Sequence, residues 1–327
     1  MKIDSVWLSG DGTSPLFLRS WAPPGPPRAV VLVLHGMAEH SGRYARFAAA
    51  LCSAGIAVFA HDQRGHGETA GKGLLGHYAD NSGWSTVIDD VSTVLGHIHE
   101  SIPGCPVFLF AHSMGSYIAQ GFLIRRSESV QGAILSGSNY QSIWLYKLAK
   151  LVVRIEAIRL GAQGKSSFFN RLTFGEFNRA VSHRRTEVDW LSRDPVEVDR
   201  YIADPLCGNL CTNQLWMDLL SGLVEISRVQ NLSRIRSELP LLVLGGSCDP
   251  VSDGHRLQDL RDALVSAGMR HAELKIYPEA RHELLNETNR NEATSFVLSW
   301  LEKWLSSSVV RGPEADETLN GTAAMNL

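Results

Sequence analysis

An apolar run, Val107-Phe108-Leu109-Phe110, passes straight into Ala111-His112-Ser113-Met114-Gly115 and on into a helix-forming stretch from Ser116 to Arg126. A buried strand that must turn at once into a helix through Ser-x-Gly leaves few folds open. The turn lifts the serine hydroxyl clear of the backbone, and the glycine two residues on lets the helix start close by. Serine is a poor nucleophile at neutral pH without a base, and the base needs a third group to orient it. Ser113 therefore predicts partners elsewhere in the chain.

The expected base is a histidine past a late strand. Leu274-Lys275-Ile276-Tyr277 reads as that strand, and His282 follows in the loop Pro278–Glu283. The expected acid lies between serine and histidine. Pro240–Gly246 reads as an apolar strand with glycines at its end, and Asp249 sits just beyond it. Asp253 competes, but it lies further along, where a helical pattern begins, so Asp249 is preferred. A developing oxyanion needs two N–H donors. One is expected from Met114, after the nucleophile. The other is expected from Met37, in the turn His35-Gly36-Met37 after the apolar strand Ala29–Leu34. Each feature alone has an ordinary structural reading. All four in this order at strand ends point to acyl transfer.

Strands at Ala29–Leu34, Ile56–Ala60, Val107–Phe110 and Gly132–Ser136 alternate with helical patterns over Tyr44–Ala54 and Trp84–Ile98. That rhythm predicts an α/β fold with a mostly parallel, doubly wound sheet. Val6–Leu8 and Leu16–Trp21 read as an antiparallel hairpin before it. From Ser138 to about Leu239 the rhythm breaks into helices without a convincing strand. The expected division is core 1–138, an inserted helical cap 139–239, core 240–305, and a disordered tail 306–327. Trp144, Leu145 and Leu148 begin a helical apolar stripe that continues through Leu151, Val152, Ile155 and Ile158. Those first three are the candidate substrate-pocket residues, and so apolar a cap suits an acyl chain.

Several classes are disfavoured. The net charge of −3 gives no reason to expect nucleic acid. Five scattered cysteines make no metal motif and read as reduced thiols of a cytoplasmic protein, with a Cys207–Cys211 pairing as a minor option. The loop His61–Thr69 is rich in glycine but lacks the Gly-Lys-Ser/Thr ending of a phosphate loop. No metal or other cofactor is expected. A brief contact of the amphipathic cap with a membrane surface fits the stripe, as does a buried pocket wall.

The motifs His35–Tyr44, Asp62-Gln63-Arg64-Gly65-His66-Gly67, His112-Ser113-Met114-Gly115 and Arg281–Glu287 together resemble the monoacylglycerol lipase and lysophospholipase group of α/β-hydrolases, related to the S33 serine aminopeptidases. The resemblance covers about residues 5–305. It implies a helical cap on an α/β-hydrolase core, a lid over 139–235, and hydrolysis of carboxylic esters by Ser113, Asp249 and His282, with Met37 and Met114 as oxyanion donors. Ala111 departs from the glycine usual there. A small-ester or lactone hydrolase, an aminopeptidase and a non-catalytic binding protein are the alternatives on the same fold.

Overall fold

The structure, a computed structural model, describes residues 1–9, 15–71 and 73–309. Eight strands form one sheet in the order β1-β2-β4-β3-β5-β6-β7-β8. They are β1 (Lys2–Leu8), β2 (Leu16–Ala22), β3 (Ala29–Leu34), β4 (Ile56–His61), β5 (Val107–His112), β6 (Gly132–Ser136), β7 (Leu241–Gly246) and β8 (Ala272–Tyr277). β1 and β2 pair antiparallel, as do β2 and β4. All pairings from β4 to β8 are parallel. Every residue of β3 to β7 is buried, the condition in which a strand reads as an unbroken apolar run.

Alternate residues feed two cores, because successive side chains point to opposite faces. Val31, Val33, Phe108 and Phe110 face α1 (Ala45–Ser53) and the last helix through Phe47, Leu51, Val297 and Leu301. Leu32, Leu34 and Leu109 face α2 (Gly83–Ser101) and α3 (Met114–Arg126) through Ile88, Val91, Ile118 and Phe122.

Between β6 and β7 the described residues contain helices and turns only. The main helices are α4 (Ile143–Leu160), α5 (Pro195–Ala203) and α6 (Asn213–Ile226). α7 (Arg256–Ser266) and α8 (Arg290–Val309) complete the chain. α8 reaches Val309, so helix occupies positions 306–309 of the expected disordered tail. The rest of that tail, 310–327, lies outside the described residues. All five cysteines are free thiols, so Cys207 and Cys211 are not bridged. Among the described residues no helix is long and apolar enough to cross a membrane.

Candidate active site

Open parallel sheets bind ligands beyond the carboxyl ends of their strands, and β3, β5, β7 and β8 deliver the four anticipated features there. Ser113 follows β5 with φ 51° and ψ −120°, a backbone conformation rare outside glycine. The turn closes so tightly that a Cβ on Gly115 would lie 2.2 Å from the Leu34 carbonyl oxygen. Ala111 is fully buried at the end of β5, paired with Leu34 and Leu135, so its methyl is accommodated in the sheet.

Asp249 and His282 meet across the exits of β7 and β8. Asp249 Oδ2 lies 2.9 Å from His282 Nδ1, and Asp249 Oδ1 accepts the Val251 N–H at 2.9 Å. His282 Nε2 is buried without a hydrogen-bond partner and is the nitrogen left to take a proton. His282 and Ser113 line one chamber. Burial pulls the His282 pKa down, but the charge and hydrogen bond of Asp249, with Glu283 and Glu39, hold it above the ordinary value. Asp253 is elsewhere: its carboxylate is mostly exposed and pairs with Arg256 at 3.3 Å.

The loop after β3 is held from both sides. Gly36 N–H donates to Glu39 Oε1 at 2.5 Å, and Tyr44 OH donates to the same oxygen at 2.9 Å. Ala38 sits at φ 56°, and its carbonyl accepts Tyr201 OH at 3.0 Å and Gly208 N–H at 2.9 Å. Arg43 joins this loop to the histidine loop, donating to Glu39 at 2.7 Å and to both Glu283 oxygens at 2.6 and 2.7 Å. Burial would raise the Glu39 pKa, but Arg43, His112 and His35 bring it down to about 2. Glu39, Arg43 and Glu283 lie within the motifs of the sequence, where no linear pattern assigns them a role. Tyr201 carries no signal in the sequence, and Trp190 reads there only as one more apolar residue of the insertion.

Two chambers meet at Ser113. An apolar one of about 470 Å³ runs under α4 and α6, lined by Leu145, Leu148, Val152, Trp216 and Leu219 among others. A more polar one of about 350 Å³ includes Asn170, Arg171, Glu187, Tyr201 and Asn209. Met37, Ser113, Phe174 and Trp190 border both. Trp144 corrects the expectation: it is 75% exposed, outside both chambers, with the Lys147 ammonium 4.5 Å over its ring. Tyr146 and Val153 are the buried side of α4. Trp144, two residues from Tyr146, is turned by about 200° at 3.6 residues per turn.

His40, Asp204 and Cys207 bring one N, one O and one S within 4.8 Å of each other. The Gly42 N–H donates to His40 Nδ1, which leaves the proton of the neutral ring on Nε2, 2.9 Å from Asp204. That nitrogen is a donor to a carboxylate and not a free ligand.

The strand order, the strained serine turn and the buried Asp–His pair define the α/β-hydrolase class. Comparison with known proteins narrows it. Residues 25–289 match the family described as serine aminopeptidase, S33. The chain is 31% identical to human monoglyceride lipase over 297 residues, 89% of this chain and 86% of that protein. It is 29% identical to the monoacylglycerol lipase of Mycolicibacterium smegmatis, over 86% of this chain and 90% of that one. A thermostable carboxyl esterase of Bacillus coagulans, solved with glycerol, superposes with a TM-score of 0.86 at 26% identity, covering 93% of this chain and 99% of the esterase. The chain belongs to the S33 serine aminopeptidase family of α/β-hydrolases.

Proposed function

We propose that Ser113, His282 and Asp249 act as nucleophile, general base and orienting acid on a lipid-like ester, a monoacylglycerol or a lysophospholipid. The chain is a carboxylic ester hydrolase, and its reaction proceeds in two steps. His282 Nε2 takes the Ser113 proton as the hydroxyl attacks the ester carbonyl. Asp249 fixes the tautomer with the proton on Nδ1 and stabilises the imidazolium. The Met37 and Met114 N–H groups bind the oxyanion, and each such donor is worth about 10²–10³ in turnover. His282 returns the proton to the departing alcohol. Water then attacks the acyl-enzyme with His282 again as base.

The observation that carries the substrate class is the pair of chambers meeting at Ser113, one apolar and one more polar. An acyl chain suits the first and a hydrophilic alcohol the second. The named relatives act on monoacylglycerols, which supports the same reading. We take residues 139–239 as a cap over these chambers. The exposed apolar side chains of α4 support a contact with the lipid surface that supplies substrate. Free cysteines support a cytoplasmic setting.

The test compares a monoacylglycerol, a lysophospholipid and an amino-acid anilide, each with the parent protein and Ser113→Ala. Ester turnover and labelling by a fluorophosphonate probe are expected to vanish in Ser113→Ala while the thermal melt persists. A Ser113→Ala protein that still cleaves esters at the parent rate refutes the nucleophile assignment. Preference for the anilide refutes the substrate class.

A further inference from the structure

The insertion between β6 and β7 reaches the base itself. Its short turn Asp189–Leu191 is bonded to the histidine loop through main-chain atoms. Trp190 O accepts the His282 N–H at 3.4 Å, and Leu191 O accepts the Glu283 N–H at 2.8 Å. Arg281 Nη1 donates to Asp189 O at 2.7 Å and Ser192 O at 2.9 Å. The Trp190 side chain is buried, and its ring centre lies 5.0 Å from that of the His282 imidazole, inclined at 40°. His112 approaches the same imidazole at 4.7 Å. Behind Trp190, Phe174 stacks at 5.8 Å and 19°.

We propose that Trp190 is a positioning residue for the His282 base, an indole wall that fixes the imidazole beside Ser113 and keeps water from it. The proposal rests on the reading of His282 as base. An imidazole held at Nδ1 alone can still swing about its side-chain bonds. Packing by a rigid ring removes that freedom, and displacement of a reacting group by about 1 Å can cost 10²-fold in rate. The indole has a second effect, because an apolar cover disfavours the charged ring. The other titratable groups around His282 are Asp249 beyond β7, Glu283 beside it in the same loop, Glu39 in the loop after β3 and His112 at the end of β5. Changing Trp190 removes none of these groups.

The experiment uses the full chain with p-nitrophenyl butyrate, an ester too short to depend on the apolar chamber. Trp190→Ala is expected to lower kcat by about 10–100-fold with KM within roughly twofold, and Trp190→Phe to recover to within roughly threefold of the parent. The acid limb of kcat/KM should move to higher pH in Trp190→Ala, because water reaches the imidazole, and stay near the parent position in Trp190→Phe. If Trp190→Ala gives no cooperative melt, Trp190→Leu, which fills space without a ring plane, takes its place under the same criteria. An unchanged kcat, or a rise in KM alone with the limb unmoved, overturns the proposal. His282→Ala separates the two readings. If that variant stays active, the base assignment fails whatever Trp190→Ala does. If it is dead and Trp190→Ala is normal, only the role of Trp190 fails.

Discussion

Arg43 binds one carboxylate from each of two loops at the candidate site, and neither end of that bridge is near the other in sequence. Glu39 belongs to the turn after β3, and Glu283 follows the histidine 240 residues beyond Arg43. Both carboxylates are buried, and both lift the pKa of His282. In the proposed mechanism His282 acts in its neutral form, so activity falls as pH drops through its pKa. The acid limb of kcat/KM is therefore expected above the ordinary histidine value of about 6.5. Glu283→Gln removes one neighbouring negative charge and should move that limb to lower pH. A limb that stays put in a pH–rate profile of the variant refutes the electrostatic role. Ser113, Asp249 and His282 stand out in the sequence because each lies past a strand end, in the order of nucleophile, acid and base that the proposed chemistry requires. The Arg43 bridge does not, because nothing in a linear pattern records that two loops converge on one guanidinium.

Among the elements, β3 to β7 were readable to within a residue or two, since strands buried on both faces carry little but apolar side chains. The helix α4 was harder. Its apolar residues recur at helical spacing on more than one side, and periodicity alone does not say which side is covered. The structure buries Tyr146 and Val153 and leaves Trp144, Leu151, Ile155 and Ile158 at least half exposed. An uncovered apolar helix face gains free energy at a lipid surface roughly in proportion to the area it buries there. The parent chain is expected to co-sediment with neutral phospholipid vesicles. The double change Ile155→Ser and Ile158→Ser should weaken that partition several-fold while turnover of p-nitrophenyl butyrate is kept. Equal partition of parent and variant would disprove a role for this face.

At the scale of the whole molecule, neutral histidines are stored beneath the site. His61, His66 and His112 are buried, and burial first, then neighbouring histidine charge, lowers their pKa values to about 3, about 4 and about 4. His35 is lowered as well, chiefly by burial. The unfolded chain takes up these protons near pH 6.5, and the folded chain only at lower pH. Between those values the unfolded state binds more protons, so stability falls as pH falls. His282 has a raised pKa and works in the opposite sense, but its contribution is complete below about pH 6.5 and adds no slope at lower pH. His61, His66 and His112 together give a slope of roughly 3–4 kcal/mol per pH unit near pH 5, at up to about 1.4 kcal/mol per group. Urea midpoints measured from pH 7 to pH 4 should decline steeply below about pH 6. A flat profile would mean that these rings are solvated or already charged. The polarity of the ring concealed their burial: His61 and His112 close β4 and β5, and His35 and His66 lie in the polar segments that follow β3 and β4, where composition ordinarily signals exposure.

The main-chain bonds between residues 189–192 and 281–283 restrict how this scaffold can be re-engineered. A chimera that trades the segment from 143 to 185 for a foreign one alters the walls of the apolar chamber and leaves the His282 loop braced. A graft whose seam lies downstream, so that 186–210 is also replaced, removes the braces of both loops at once. Recipients of the second kind should lose turnover toward every ester, large or small, and no choice of tail length in the assay would restore it.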